Sequence, residues 1–377
     1  MFFFSNKKSI MLQGYLHNAN FGDILFARLF YKKCLELDFK SIDFIQWKRV
    51  DYRQFGIGDF CRKELGYSHR KNFLSCLLAD AFTFISGGFF WNDASNAGDA
   101  KTRFFRYILP AKLYQLMHKP VYVLGVGGGP VDTPWLRKEM VKMLNKAKLV
   151  LFRDEETLKI FKEYGVTNKA MFATADTALV VTRDMLDPLE EKEELDKIVA
   201  GRKKLFVHIP DGFQECKNLT DKIIPELIEF LKKHSEYLVV ISNDNIRNMS
   251  ENERNEIAKI KNSFTEAGLD TYQYNYHSCW QMCSLISEMD CIVTAKLHVG
   301  VLGIALGKSV LSFPVHREKT LNFYKHIGLE ERCIPMKLVT PNDVLRQMGT
   351  FHDKPIVISD ELRQKAKQNL DALEEII

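Results

Sequence analysis

Short apolar runs alternate with amphipathic stretches along the whole chain. The runs at 10–15, 42–46, 81–85, 121–124 and 148–152 are rich in aliphatic and aromatic side chains, and they read as buried strands. Between them the apolar positions recur at helical spacing over 24–37, 103–118, 134–146 and 155–164. A second series follows, with strands at 205–209, 237–241, 291–294 and 310–313 and helical patterns at 220–233, 252–267, 280–288 and 299–306. The tail, 359–377, reads as a final helix capped by Ser359 or Asp360. Strand and helix in regular alternation predict βαβ units and a mostly parallel sheet in each half.

The two series are separated by a stretch dense in Glu and Lys around 185–204, closed by Gly201. It reads either as a linker or as a solvated helix of mixed charge. The expected organisation is therefore a first domain over 1–184, a charged connection over 185–204, a second domain over 205–350 and a terminal helix over 351–377. A length of 377 residues fits two domains of ordinary size. With 46% hydrophobic and 27% charged residues, the chain is of globular composition and can fill two cores.

The net charge of +5 suits an anionic substrate, and it also suits peripheral contact with an acidic membrane. No cluster of Lys and Arg is dense enough to argue for nucleic acid as a partner. The eight cysteines, Cys34, Cys61, Cys76, Cys216, Cys279, Cys283, Cys291 and Cys333, are scattered. Only Cys279 and Cys283 are close, at the spacing of one helix face. This is no zinc pattern, and reduced thiols in a cytoplasmic protein are expected. The apolar start, Met1 to Phe4, is too short for a signal-peptide core, and no apolar stretch reaches the ~20 residues of a membrane helix. The expected location is the cytoplasm or the inner face of the membrane. No cofactor and no metal are expected.

The candidate chemistry lies just after strands. The first segment, Gly14 to Asp23, leads from a strand into a helix whose free N–H groups suit an anion; Asn20 and Asp23 are either ligands there or helix caps. Ser86-Gly87-Gly88 and Gly125-Val126-Gly127-Gly128-Gly129-Pro130 allow close approach of the backbone, to a ligand or within a tight turn. The second of these begins like a dinucleotide loop, but Pro130 stands where that motif closes on glycine, which argues against a nicotinamide. Arg153-Asp154 stands at a strand-to-helix junction. A cation disfavoured by the helix dipole reads there as an anion grip or a partner of Asp154, or else as a solvent-facing arginine, and Asp176 reads either as a partner of Arg153 or as a plain turn. The sharpest segment is Val293 to Gly300, where a strand delivers Lys296 and His298 to a helix start, a combination that suits phosphate or carboxylate. Lys319 and Arg317 add cations further on, or simply face solvent. His208 and Asn243-Asp244 stand at strand ends in the second half, either as site residues or as turns.

Taken in order, Asn20-Phe21-Gly22-Asp23, Ser86-Gly87-Gly88-Phe89, Gly125 to Pro130, Arg153-Asp154, Asp176-Thr177-Ala178 and Lys296-Leu297-His298 resemble the motifs of the polysaccharide pyruvyl transferase family, over roughly residues 10–330. The lysine matching a late family lysine is Lys319. The resemblance implies an α/β fold of two Rossmann-like domains facing a cleft, like the GT-B glycosyltransferases. It also implies phosphoenolpyruvate as donor and a glycan or lipid-linked sugar as acceptor, with a pyruvate ketal as product. Two departures stand out. Lys296 occupies the place of a family arginine and offers a point charge where arginine grips an anion with two parallel bonds. Phe89 occupies the place of a third glycine.

On this reading His298 is the acid and base, Asp23 orients or deprotonates the sugar hydroxyl, and Lys296, Arg153, Gly127, Gly128 and Lys319 serve the donor. Asn20, Ser86, Gly87, Gly88 and Asp176 line the acceptor side. Two alternatives share the sequence. One is a sugar-nucleotide-dependent glycosyltransferase of the same fold, although the paired-glutamate motif often found in such enzymes is absent between His298 and Lys319. The other is a non-catalytic glycan-binding relative, which Lys296 and Phe89 favour.

Overall fold

A computed structural model describes residues 7–16, 20–45, 78–93, 95, 97–244, 250–315 and 317–377. His17, Asn18 and Ala19 of the first motif lie outside them, as do Cys61 and Cys76. The chain divides into two compact units. The first takes the residues up to Val180 together with Asp360–Ile377, and the second takes Val181–Ser359.

The first unit begins with β1 (Ser9–Gln13), α1 (Phe21–Glu36), β2 (Ser41–Phe44) and β3 (Ala81–Asn92). The expected helix at 103–118 is split into α2 (Ala97–Arg103), a π-helical turn over Phe104–Ile108 and α3 (Leu109–Leu116). Pro110, at the start of α3, brings no N–H to the ladder, which is where a helix changes its hydrogen-bond register. Then come β4 (Val121–Val131), α4 (Pro134–Asn145), β5 (Leu149–Phe152), α5 (Glu155–Glu163) and β6 (Met171–Ala173). The strands form one parallel sheet of order β2-β1-β3-β4-β5-β6. Its faces are almost wholly apolar, as a sheet covered on both sides by helices must be. The chain reverses its winding at β1 and β3, so the switch point of this sheet lies between their carboxyl ends.

The second unit contains α6 (Lys192–Val199), β7 (Lys203–His208), α7 (Phe213–Lys222), α8 (Ile224–Lys233), β8 (Tyr237–Ser242), α9 (Glu251–Glu266) and β9 (Thr271–Gln273). It continues with α10 (Cys279–Glu288), β10 (Cys291–Thr294), α11 (Leu297–Ala305), β11 (Ser309–Ser312), α12 (Arg317–His326) and α13 (Pro341–Phe351). Its parallel sheet has the order β11-β10-β7-β8-β9, with the switch point between β7 and β10. The Glu- and Lys-rich stretch contains α6, whose Leu195 and Val199 are buried while its charged residues face outward. The final helix α14 (Asp360–Asp371) belongs to the first unit. All six described cysteines are free and buried.

Two glycine segments expected as loops are strand instead. β3 runs seven residues past Ile85 and β4 seven past Leu124, and they stay paired through Gly87↔Val126, Gly88↔Gly127, Phe90↔Gly128 and Asn92↔Val131, with irregular register. Phe89 and Phe90 are fully buried among Phe84, Tyr107 and Phe161, and burying these two rings holds the extension to the core.

Helix α11 follows β10 after a two-residue step and packs on the sheet through Gly303. A Cβ there would come within 2.6 Å of Ile292 Cδ1 and 2.9 Å of Val310 Cγ2, so a larger residue has to displace these side chains. The consequence is local to the site, because the same helix carries His298 in its first turn. Gly303→Ala should cost about 1–3 kcal/mol by overpacking. Its urea midpoint should fall with an unchanged slope, and an unaltered midpoint would show that the helix shifts without cost.

Candidate active site

In parallel sheets polar residues with no place in the apolar faces collect at the carboxyl ends of the strands. In the second unit four of them meet there. β7 ends at His208 and leads to Asp211, β8 leads to Asp244, and β10 leads to Lys296. The Lys296 ammonium lies 2.5 Å from Asp211 Oδ2 and 2.5 Å from Asp244 Oδ1, and His208 Nε2 lies 3.3 Å from the same Asp244 oxygen. Asp244 and His208 are fully buried. Asp211 is held by its own loop: the next residue, Gly212, donates its N–H to Glu253, whose other oxygen closes the capping box of α9 with Ser250.

The electrostatics follow from burial and pairing. Desolvation pushes the Asp244 carboxyl up, but the Lys296 ammonium, with the His208 imidazole beside it, outweighs that, and the group is held well below the ordinary carboxylate range. Desolvation pushes Lys296 down, and Asp244 and Asp211 more than reverse that, so its pKa is raised. One cation therefore stands against two carboxylates. Lys296, read from the sequence as an anion grip, has its charge already balanced by protein groups. Asp211 Oδ1 and Asp244 Oδ2 are buried and accept no hydrogen bond among the described residues.

His298 sits two residues beyond Lys296 and is 5% exposed. Lys296 itself is the N-cap residue of α11. Lys319 is exposed on α12.

In the first unit the Arg153 guanidinium lies over the main chain of Gly127. A Cβ on Gly127 would fall 2.5 Å from Arg153 Cζ and 2.7 Å from an Nη. Gly127 therefore makes room for an arginine, while Gly128 backs onto Phe161 and Thr157. Arg153 is 8% exposed; its Nε donates to Asp154 Oδ2 at 3.4 Å, and Nη1 lies 3.8 Å from Asp176 Oδ2. Asp154 also caps α5, accepting the Thr157 N–H at 2.7 Å. Asp176 takes the Ala178 N–H through its other oxygen, so it serves both turn and ion pair. Asp176 thus combines the turn and the pairing with Arg153 that the sequence left as alternatives.

At the switch point of this sheet Asn20 occupies the N-cap position of α1 without a side-chain capping bond, and Asp23 is buried in the first turn. Asp23 Oδ1 lies 3.5 Å from where a Cβ on Gly87 would stand, which brings the first motif against the end of β3. Gly88 pairs with Gly127, and Ser86 is buried with its hydroxyl 2.6 Å from Thr177 Oγ1. Phe89 turns into the core beside Tyr15, Phe84 and Tyr107.

Asp211, Thr177 and Asn369 are members of these clusters that the sequence reading passed over or left without a role. Asp211 carries a signal in retrospect, since Pro210-Asp211-Gly212 stands between a strand and a helix, as the other motifs do. Asn369 carries none, being one polar residue in a charged helix 192 residues from Thr177.

Solved structures with the same fold include the UDP-GlcNAc 2-epimerase of Neisseria meningitidis bound to UDP-GlcNAc, at TM-score 0.59 and 12% identity over 97% of this chain and 99% of that one. The UDP-GlcNAc 2-epimerase of Methanocaldococcus jannaschii gives 0.60 and 10% over 98% and 99%. The Anabaena protein HepE, in complex with UDP and glucose, gives 0.50 and 11% over 98% and 97%. At such identities the likeness is one of fold, and the fold is GT-B-like, with two Rossmann-like α/β domains. No curated protein matches the sequence. Residues 20–317 match the model of the polysaccharide pyruvyl transferase family, an interval that holds Asn20, Arg153, Asp176, Lys296 and His298 at strand ends and helix starts, and the chain belongs to that family.

Proposed function

We propose that the protein transfers pyruvate from phosphoenolpyruvate to two hydroxyls of a sugar in a cell-surface polysaccharide or its lipid-linked precursor, closing a pyruvate ketal. The observation that carries this reading is the family match over 20–317, whose motif residues stand at the carboxyl ends of parallel strands in both units. The reaction takes place in the cytoplasm or at the inner face of the membrane, where such precursors are built. Among the described residues no helix is long and apolar enough to cross a membrane.

The chemistry asks for a proton on the methylene carbon of the donor, which leaves a cationic carbon beside the carboxylate. One sugar hydroxyl adds to that carbon and loses its proton, phosphate departs with its bridging oxygen, and the second hydroxyl closes the ring. His298 donates and accepts the protons. Asp23 orients or deprotonates the attacking hydroxyl, with Asn20, Ser86, Gly87, Gly88 and Asp176 on the acceptor side. Arg153 in the first unit, with Gly127 and Gly128 seating it and its loop, and Lys296 in the second unit, with Lys319 and the start of α11, are each candidate grips for an anionic group of the donor.

The balanced charge of Lys296 sets a condition on this role: a donor anion competes with Asp211 and Asp244 for the ammonium. The same observation supports a second reading, a glycan-binding relative that performs no transfer. Acceptor binding without phosphate release from phosphoenolpyruvate over a panel of glycans would establish that reading instead.

Three outcomes follow. His298→Ala should lower phosphate release by roughly 10²–10⁴-fold with the fold retained by circular dichroism, and full activity would remove His298 from the mechanism. Asp211→Asn should free part of the ammonium charge and lower KM for phosphoenolpyruvate by roughly 3- to 10-fold, and a raised KM would show that Lys296 does not meet the donor as a cation. Lys296→Met leaves two carboxylates without their cation and should cost roughly 3–5 kcal/mol at neutral pH. The lowered Asp244 contributes stability that is present above about pH 4 and lost as pH falls through its depressed value, while the raised Lys296 contributes stability that is present below about pH 10 and lost above it. In the variant the buried Asp244 is expected to be raised instead, so the stability gap to wild type should narrow from pH 7 to pH 5 in urea titrations. A gap constant with pH would show that Asp244 does not depend on Lys296.

A further inference from the structure

The last helix of the chain ends in the first unit at a place its sequence does not advertise. Asn369 on α14 is fully buried and uses every polar atom of its side chain. Its amide nitrogen donates to the Ala175 carbonyl at 2.8 Å and to Thr177 Oγ1 at 3.0 Å. Its amide oxygen lies 2.8 Å from Thr174 Oγ1, which also lies 3.0 Å from the Phe152 carbonyl. Thr177 Oγ1 in turn stands 2.6 Å from Ser86 Oγ at the bend of β3. One side chain thus ties the ends of β5 and β6 together and, through Thr177, links them to Ser86 within β3.

What the clamp encloses is Asp176. Asn369 grips the residue before it and the residue after it, and Asp176 is the carboxylate 3.8 Å from Arg153 Nη1. The pocket for the amide nitrogen is tight: a Cβ on Gly125 would fall 2.8 Å from it and 2.6 Å from both hydroxyls, Ser86 Oγ and Thr177 Oγ1. The main chain of β4 therefore closes the network from the fourth side. A buried network in which every member is satisfied holds one geometry, because any displacement strands a polar atom away from water.

We infer that Asn369 is a positioning residue: through Ala175 and Thr177 it sets Asp176, and through Asp176 it aims the Arg153 guanidinium. The inference rests on the proposed role of Arg153 at the donor. Asn369 touches no substrate, and its effect is to place a group that does.

Asn369→Asp keeps the shape and the bond to Thr174 but turns an acceptor toward the Ala175 carbonyl. Thr174→Val removes a single hydroxyl and is the milder variant, and Thr177→Ser keeps the hydroxyl on which the network depends. The measurement has two arms. The Arg153 Nε–H signal in a 15N spectrum of the full chain, assigned with Arg153→Lys, reports the guanidinium without substrate. Phosphate release from phosphoenolpyruvate reports KM and kcat separately.

Asn369→Asp is expected to move or broaden the Arg153 signal and to raise KM for phosphoenolpyruvate by roughly 10–100-fold, with kcat changed less. Thr174→Val should show the same pattern at smaller size, and Thr177→Ser should match wild type in both arms. An Arg153 signal unchanged in Asn369→Asp and Thr174→Val overturns the inference, as does a loss confined to kcat or to thermal stability. If wild type releases no phosphate with any acceptor, the proposed function fails, and the Arg153 signal still decides whether Asn369 sets the guanidinium.

Discussion

A charge taken out of water has to be answered by an opposite charge close by, and each unit builds its strand-end cluster around that requirement. In the second unit a lysine from the end of β10 is answered by carboxylates from the loops after β7 and β8. In the first, an arginine after β5 is answered by its neighbour Asp154 and by Asp176 after β6. Each set draws on different strands, so the ion pairs fix strand ends relative to one another as well as neutralising themselves. The parallel sheets make this necessary. Their faces are almost wholly apolar, which leaves the carboxyl ends as the place where charged side chains gather.

Much of this was legible in the sequence because it rests on local pattern. The apolar runs that became β4, β7, β8 and β10 begin or end within a residue or two of their expected bounds on at least one side, and the segments around Asn20, Arg153, Asp176 and Lys296 stand after strands, whereas the two glycine segments lie within β3 and β4. What was not legible depends on distant partners. Gly127 is a glycine because Arg153, 26 positions later, lies across it. β6 and β9 are three-residue edge strands with too few apolar positions to show a period. The extension of β3 past Ile85 depends on two phenylalanines finding rings such as Tyr107 and Phe161 on distant helical segments, and a run of glycine reads locally as a turn. Lys296 is the sharpest case. The residues beside it describe a cation at a helix start, and its neutralisation comes from Asp211 and Asp244, 85 and 52 positions away.

That neutralisation also bears on how the departure from the family arginine is to be read. An ammonium is compact and offers three donors around a point, so it can serve two carboxylates arriving from separate loops. A guanidinium is planar and pairs best with one carboxylate along an edge. In the space where Lys296 meets Asp211 and Asp244 at 2.5 Å each, with His208 close behind, the smaller cation suits a three-way contact that a planar fork would have to open. The lysine and the two carboxylates are therefore one electrostatic unit, and the lysine alone is the wrong thing to weigh. Restoring arginine by itself would bring a larger cation against two carboxylates spaced for a smaller one. Asp211 and Asp244 together decide how much positive charge Lys296 presents beyond its own cluster.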